Sequence, residues 1–309
     1  MTIQSSPPSP GPTHKHMVWV PGGTFQMGSN DFYPEERPLH DATVAGFWMD
    51  RYALTNAAFQ RFIQATSYIT VAERALNPAD FPGADPLILV PGALVFRNPG
   101  HPVRLDDVRQ WWVYVPGACW KYPQGLGSNL AGRERHPVVH IAYADALAYA
   151  IWAGKALPTE AEWEFAARGG LAGAIYTWGD EYAPKGRMLA NTWQGAFPWQ
   201  NLKTDGYAGT SPVGTFPPNG YGLYDMAGNV WEWTCDLFQP HHTVAISASC
   251  CTPDRPLAES SAKHPKSMVI KGGSYLCAPN YCLRYRPAAR QSQAIDTATS
   301  HIGFRCVCR

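Results

Sequence analysis

Lys271-Gly-Gly-Ser-Tyr-Leu-Cys-Ala-Pro-Asn-Tyr-Cys-Leu-Arg-Tyr-Arg-Pro-Ala-Ala-Arg290 is the stretch on which the reading of this sequence turns. Two thiols, Cys277 and Cys282, enclose Pro279, so a turn bends the chain between them and lets the sulfurs face each other. Opposed thiolates suit Cu(I), a soft ion that prefers sulfur. A disulfide satisfies the same spacing and is favoured over metal on spacing alone. Structural zinc takes about four protein ligands, and no second close Cys or His pair accompanies this one. Spacing by itself leaves the chemistry open.

Outward from that segment, composition bounds the class. Hydrophobic residues make up 45% of 309 residues and charged residues only 16%, enough apolar material for a large core and too much for a disordered chain. Gly and Pro number 28 each, which predicts short regular elements and much ordered loop. Twelve Trp, each a large apolar surface with one polar handle, are suited to holding such loops. A net charge of +1 without a basic stripe argues against nucleic acid and anionic membranes as partners. No apolar run approaches the ~18 residues of a membrane span. Residues 1–16 are Ser/Pro-rich with no apolar signal core, so a disordered tail and a cytoplasmic location are expected, followed by one domain over 17–309.

In such a compartment the eight cysteines are expected as thiols. Cys119, Cys235, Cys306 and Cys308 read as core thiols, and a vicinal disulfide at Cys250-Cys251 is not expected. Met17 to Gly28 alternates around Pro-Gly-Gly and reads as a hairpin; Gly46 to Asp50 reads as a strand. Phe59, Phe62 and Ile63 mark one buried helix face, and Leu147, Ala150 and Ile151 mark another between Asp145 and Ala153. Thr159 and Glu162 form a capping box for a helix closed by Gly169-Gly170. Residues 76–124 read as a long irregular segment carrying Trp111-Trp112, and short strands follow Trp178. The whole is of mixed α/β character with little regular structure.

The run GGSYLCAPNYCLRYRPAAR, followed by Gly303-Phe-Arg-Cys306, resembles the catalytic signature of the formylglycine-generating enzymes. Leu157-Pro-Thr-Glu-Ala-Glu-Trp-Glu164, Ala190-Asn-Thr-Trp-Gln-Gly195, Phe216 to Asp225 and Gly228-Asn-Val-Trp-Glu-Trp-Thr234 stand in that family's order. The helix and tryptophan motifs are shared with non-catalytic members of the wider C-type-lectin-like superfamily; the two cysteines narrow the resemblance to the oxidase.

That resemblance implies Cu(I) on Cys277 and Cys282, with Ser274 and Tyr281 as polar neighbours. It implies O₂ and a thiol reductant as co-reactants, and as substrate an unfolded sulfatase bearing a Cys-x-Pro-x-Arg motif. A monomer is expected. Trp111, Trp112 and Arg284 are candidate substrate contacts, with a structural ion pair as the other role for Arg284. Ala278-Pro279-Asn280 departs from the His-Arg-Ser of several members. Pro287 and Ala167 stand where vertebrate members carry disulfide cysteines.

By the same resemblance Asn191, Thr192, Asp205 and Tyr207 match one structural calcium site. Asp225, Gly228, Val230 and Glu232 match another, in keeping with that ion's hard oxygen ligands. His136-Pro-Val-Val-His140 reads as core or surface histidine, because Pro137 and two valines favour a strand over a helix. Two other functions share the fold: a sulfoxide synthase of the ergothioneine type, which needs a three-histidine iron site, and a non-catalytic binding module.

Overall fold

The computed structural model describes residues 14–80, 83, 89–242 and 266–309. Its frame is a four-stranded sheet in the order β10-β7-β8-β9, built from β7 (Trp231–Leu237), β8 (Ser267–Lys271), β9 (Arg290–Ala294) and β10 (Ile302–Gly303). Strands β7, β8 and β9 run antiparallel, and β10 joins β7 in parallel. A three-stranded sheet sets β1 (Met17–Val20) and β11 (Val307–Cys308) on either side of β4 (Phe47–Asp50), so the two ends of the described chain meet. Mixed α/β character with short elements is what the Gly and Pro content predicts.

Three helices carry the core. Helix α1 (Asn56–Thr66) starts at Thr55, whose Oγ1 accepts from the Ala58 N–H, and ends at Ser67 with a left-handed φ of 54°. Phe59 and Phe62 are 0% and 2% exposed. Truncating either to Ala would cost about 3–5 kcal/mol. They pack with Tyr149 of α2 (Tyr143–Trp152) beneath Trp233 and Ile270 of the large sheet. Helix α3 (Glu160–Arg168) keeps the expected box: Thr159 Oγ1 accepts from the Glu162 N–H, and Glu162 accepts from the Thr159 N–H at 2.8 Å. Gly169 closes it with φ +59°, in a place where a Cβ would meet the Gly220 nitrogen at 2.8 Å.

Several expectations are corrected. Met17–Val20 does not form a hairpin with β2 (Gly23–Met27): β1 pairs with β4, while β2 pairs with β3 (His40–Val44). The Pro-Gly-Gly turn hands the chain from one sheet to the next. In α2 the buried face is Tyr143, Ala146, Tyr149 and Ala150; Leu147 and Ile151 are 36% and 60% exposed. Small alanines let the helix lie close, and the two tyrosines carry the apolar area that periodicity assigned to Leu147 and Ile151. The 76–124 segment holds an antiparallel pair, β5 (Gly92–Phe96) and β6 (Trp112–Pro116).

Cys235 is disulfide-bonded rather than a core thiol, whereas Cys119 and Cys306 are buried and free and Cys308 is free and half-buried. Cys250-Cys251 lies outside the described residues. Ordered chain reaches back past Met17: His14 stacks on Trp48 at 4.8 Å, and the His16 carbonyl accepts from the Arg51 N–H.

Behind the large sheet lies a frame of buried ion pairs. Glu164 receives Lys271 at 2.9 Å and Arg168 at 2.7 Å. Glu232 receives Arg305 through two nitrogens and the Trp163 indole N–H. Such pairs add less to stability than to fixing one arrangement, but breaking one strands a charge. They hold the ends of β7 and β8 from which the thiol loop departs.

Candidate active site

The loop after β8 opens with Gly272 and Gly273, both at positive φ. A Cβ on Gly273 would meet the Arg284 carbonyl at 2.9 Å, so glycine lets the entry of the loop touch its exit. Inside, the Cys277 N–H donates to the Ser274 carbonyl, and the Cys282 N–H donates to the Ala278 carbonyl at 2.8 Å. This second turn, across Pro279, brings Cys282 back over Cys277. From outside, the loop is pinned by the Trp193 N–H on the Cys277 carbonyl and the Tyr275 N–H on the Asn229 carbonyl.

The two sulfurs stand 3.1 Å apart, both residues at most 7% exposed. A disulfide would bring them to about 2.05 Å, so this is a reduced pair. Burial, followed by its hydrogen bond to Cys282, raises the Cys277 thiol. Cys282 is lowered, chiefly because it accepts from Cys277 and also because Arg284 lies beside it.

A cavity of about 550 Å³ opens above these sulfurs. Trp112, Phe197, Trp231 and Leu276 form apolar walls; Gln291, Gln293, Thr297, Thr299 and His301 form a polar one. Tyr281, 36% exposed, stacks on Phe197 at 4.5 Å and meets Trp111 edge-on at 5.5 Å. Trp111 borders the cavity but is 0% exposed, so it supports Tyr281 and Phe197 from behind. Ser274 is buried at the floor; its N–H points to the Cys277 sulfur and its hydroxyl accepts from the Leu276 N–H. A second depression of about 540 Å³, lined by Phe96, Trp193 and Trp199, carries no thiol.

All seven residues singled out for this site therefore gather at one cavity: Ser274, Cys277, Tyr281, Cys282 and Arg284 in the loop, with Trp112 on a wall and Trp111 behind it. Arg284 also proves to be an ion-pair residue, 2.6 Å from Glu35. Sequence reasoning missed Phe197, Trp231, Gln291, Gln293 and His301. Gln291 and Gln293 alternate along β9, a period-two signal available in the sequence. His301 had no such signal. Enclosure by protein, helped by His140, pushes its pKa down to about 3, so it faces the cavity as a neutral ring. His136 meets the Thr210 hydroxyl; His140, fully buried, meets the Pro123 carbonyl and gives its backbone N–H to the Thr299 carbonyl, behind the His301 wall.

The two oxygen-rich sets share a seam. Asn191 and Gly228 form a parallel bridge, and the Asn191 carbonyl accepts from the Asn229 N–H at 2.8 Å. Asn191 Oδ1 is buried with no partner. Asp205 is turned towards the same strand, accepting from the Thr192 and Tyr207 N–H groups. In the second set Glu232 is already shared by Arg305 and Trp163. Asp225 accepts only the Gly214 N–H, and burial pushes its carboxyl up to about 6. Spare carboxylate and amide oxygens fit calcium chemistry.

Residues 3–309 match the family described as the sulfatase-modifying factor enzyme 1-like domain. A formylglycine-generating enzyme of Mycobacterium tuberculosis is 56% identical, over 94% of this chain and 97% of that protein. A relative from Bos taurus named inactive C-alpha-formylglycine-generating enzyme 2 is 38% identical, over 94% of this chain and 87% of its own. Among solved structures, PvdO from Pseudomonas aeruginosa superposes with a TM-score of 0.62 at 28% identity, covering 94% of this chain and 93% of its own.

Proposed function

Because the chain belongs to the formylglycine-generating enzyme family of sulfatase-modifying factors, we propose that it is an active member, converting a cysteine of an unfolded sulfatase into formylglycine. Membership alone does not decide activity, since the family includes a relative named inactive. The observation that carries the reading is the reduced Cys277–Cys282 pair, 3.1 Å apart beneath an open cavity. A binding module has no use for two facing, reduced sulfurs there.

The donor set fits Cu(I): two soft sulfurs, no competing hard ligand between them, and open space on one side. Bound there, Cu(I) would supply affinity for a third thiolate and the means to engage O₂. The protein's own part is positional. Cys277 and Cys282 would hold the ion, with Arg284 beside Cys282 favouring its thiolate. Trp112, Phe197 and Trp231 exclude water around the incoming Cβ, and Tyr281 closes the rim over Phe197. Thr299 fixes His301 by a 2.8 Å bond between Oγ1 and Nδ1, leaving Nε2 for a polar group of the substrate.

The balanced reaction takes one cysteine side chain, one O₂ and two reductant thiols. It yields the aldehyde, hydrogen sulfide, one disulfide and one water; two electrons come from the Cβ–S unit and two from the thiols.

The substrate enters as an extended peptide, because a cysteine within a finished fold cannot reach a buried sulfur pair. We extend the proposal to calcium. Asn191, Thr192, Asp205 and Tyr207 would hold one ion. Asp225, Gly228, Val230 and Glu232 would hold another, with Asp225 as the carboxylate that has oxygen to spare. The competing iron-site reading needs three histidines, and His136 and His140 each already give one ring nitrogen to Thr210 and Pro123.

The test is mass spectrometry of a Cys-x-Pro-x-Arg peptide incubated with the protein, copper, O₂ and a thiol. Conversion of the cysteine to an aldehyde is expected. An unchanged peptide with copper-loaded protein would defeat the reading.

A further inference from the structure

Besides the exposed Arg309, which pairs with Glu162, four arginines stand from the end of the thiol loop onward, at 284, 286, 290 and 305, and three of these have their donors met. Arg286 forks onto Glu36 and gives Nε to the Leu283 carbonyl. Arg290 forks onto Glu160 and gives Nη1 to the Glu35 and Gln239 carbonyls. Arg305 forks onto Glu232 and spreads its remaining donors over the Asp50, Arg51 and Tyr224 carbonyls.

Arg284 differs. Only Nη2 is well placed, on Glu35; Nε is buried with no partner, and Nη1 reaches nothing but the Cys282 sulfur, at 3.9 Å. Unmet buried donors are destabilising and call for a reason. Nor is the side chain free to seek better partners. The Tyr33 ring lies 3.8 Å from the guanidinium carbon, and the Tyr33 hydroxyl accepts from the Leu283 N–H.

A partner exists once the sulfurs are charged. Two cysteinates around one Cu(I) carry a net negative charge, and an anion in a buried site needs compensation. Among the described residues no carboxylate lines the cavity, and Glu35 takes only Nη2 of Arg284. The other arginine on the lining, Arg109, is exposed and tied to Asp107. A guanidinium keeps its charge throughout and offers fixed donors to the sulfur.

We propose that Arg284, held by Glu35 and Tyr33, is a positioning residue that places its guanidinium charge and unmet N–H donors beside the two-cysteinate site as it takes Cu(I), and thereby sets metal affinity instead of gripping substrate. This rests on the copper reading above.

Cu(I) affinity of the full chain, measured by competition with a Cu(I)-specific chelator, decides it. Arg284→Gln is expected to weaken binding about tenfold or more, which is about 1.4 kcal/mol. Arg284→Lys, which keeps the charge, recovers most of the loss. Arg284→Met serves as the neutral variant should the glutamine form not fold. Glu36→Gln breaks the neighbouring Arg286 pair and is the structural control: it lowers the melting temperature and leaves Cu(I) affinity alone. Wild-type affinity in both neutral variants overturns the proposal, and a raised peptide KM at saturating copper then marks Arg284 as a substrate contact. Equal losses in Arg284→Lys and Arg284→Gln overturn the role of charge. Wild-type protein that takes up no Cu(I) at all overturns the copper reading together with this one.

Discussion

The molecule contains two clusters of buried polar groups with opposite character. Around α3, Glu164 is answered by Lys271 and Arg168, and Glu232 by Arg305 and Trp163. At the cavity, two reduced sulfurs face each other, Arg284 holds an unused N–H, and nearby Asn191 keeps an unmatched oxygen. Where charges are answered internally, the protein fixes its frame. At the cavity, the unmet groups stand where a bound ion or substrate would meet them. That contrast separates holding residues from working ones without appeal to likeness.

The sharpest break would come at the sulfurs. Cys277→Ser and Cys282→Ser should each cut turnover about a thousandfold or more, since oxygen is a poor ligand for Cu(I). Melting temperature should move little, because the replacement is nearly isosteric. Peptide oxidation and copper content measured together check this; either serine variant turning over at the wild-type rate would remove the cavity from the working category.

The frame should respond in the opposite sense. Lys271→Met leaves Glu164 with Arg168 alone and should cost about 3–5 kcal/mol in urea unfolding, with activity per folded molecule kept. Acidity tests the same pair. Burial alone would raise Glu164, but Lys271 and Arg168 outweigh it and hold the pKa at about 2. A folded pKa below the unfolded one means the contribution is whole at neutral pH, fades below about 4.3 and is gone below about 2. Asp145 works the other way: burial lifts it to about 6, so its ionisation opposes folding above that pH and the penalty is relieved on acidification to about 4. His301, kept neutral in the fold, pulls the whole-protein curve down below about 6.5, so each carboxyl is read as a difference. Stability relative to Asp145→Asn should rise from pH 7 to 5, and stability relative to Glu164→Gln should fall below about 4.3; either difference moving the other way would contradict its assignment.

Calcium would convert unmet oxygens into satisfied ones. If Asn191 and Asp205 bind it, chelation should lower stability by about 2.7 kcal/mol relative to calcium at a hundredfold its Kd. Elemental analysis and melting curves with and without chelator check this, and an unchanged curve in a calcium-free preparation would return Asn191 to the frame.

Much of this was legible in the sequence, for reasons that can be stated. The α3 box and the Phe59/Phe62 face rest on contacts within a few residues, so local pattern finds them. The thiol loop was legible because its residues lie within one stretch, 274–284. Phe197, Trp231 and His301 reach the cavity from three separate segments, and no spacing reports that. Local pattern also misled where pairing is long-range: Met17–Val20 chose β4 over its neighbour in sequence. Cys235 looked like other core cysteines, because its own surroundings in the sequence do not mark it as bonded.

The smallest expected effect concerns α2, where periodicity chose the wrong stripe. Leu147 and Ile151 fit an apolar face on paper, yet Ala146, Tyr149 and Ala150 are the buried side. Alanine is ambiguous in such patterns: it is small enough to be exposed at little gain or to permit close packing. Here Tyr143 and Tyr149 supply the area, and Tyr149 meets Phe59, Phe62 and Phe304. Ile151→Lys should consequently change stability by no more than about 0.5 kcal/mol, as surface substitutions do. Ala146→Leu should cost about 1–3 kcal/mol, because Ala146 is 0% exposed and has no room for added atoms. Urea titration of the two variants ranks them directly. If Ile151→Lys proved the more damaging, the helix would have to be rotated and the packing of α1 against it redrawn.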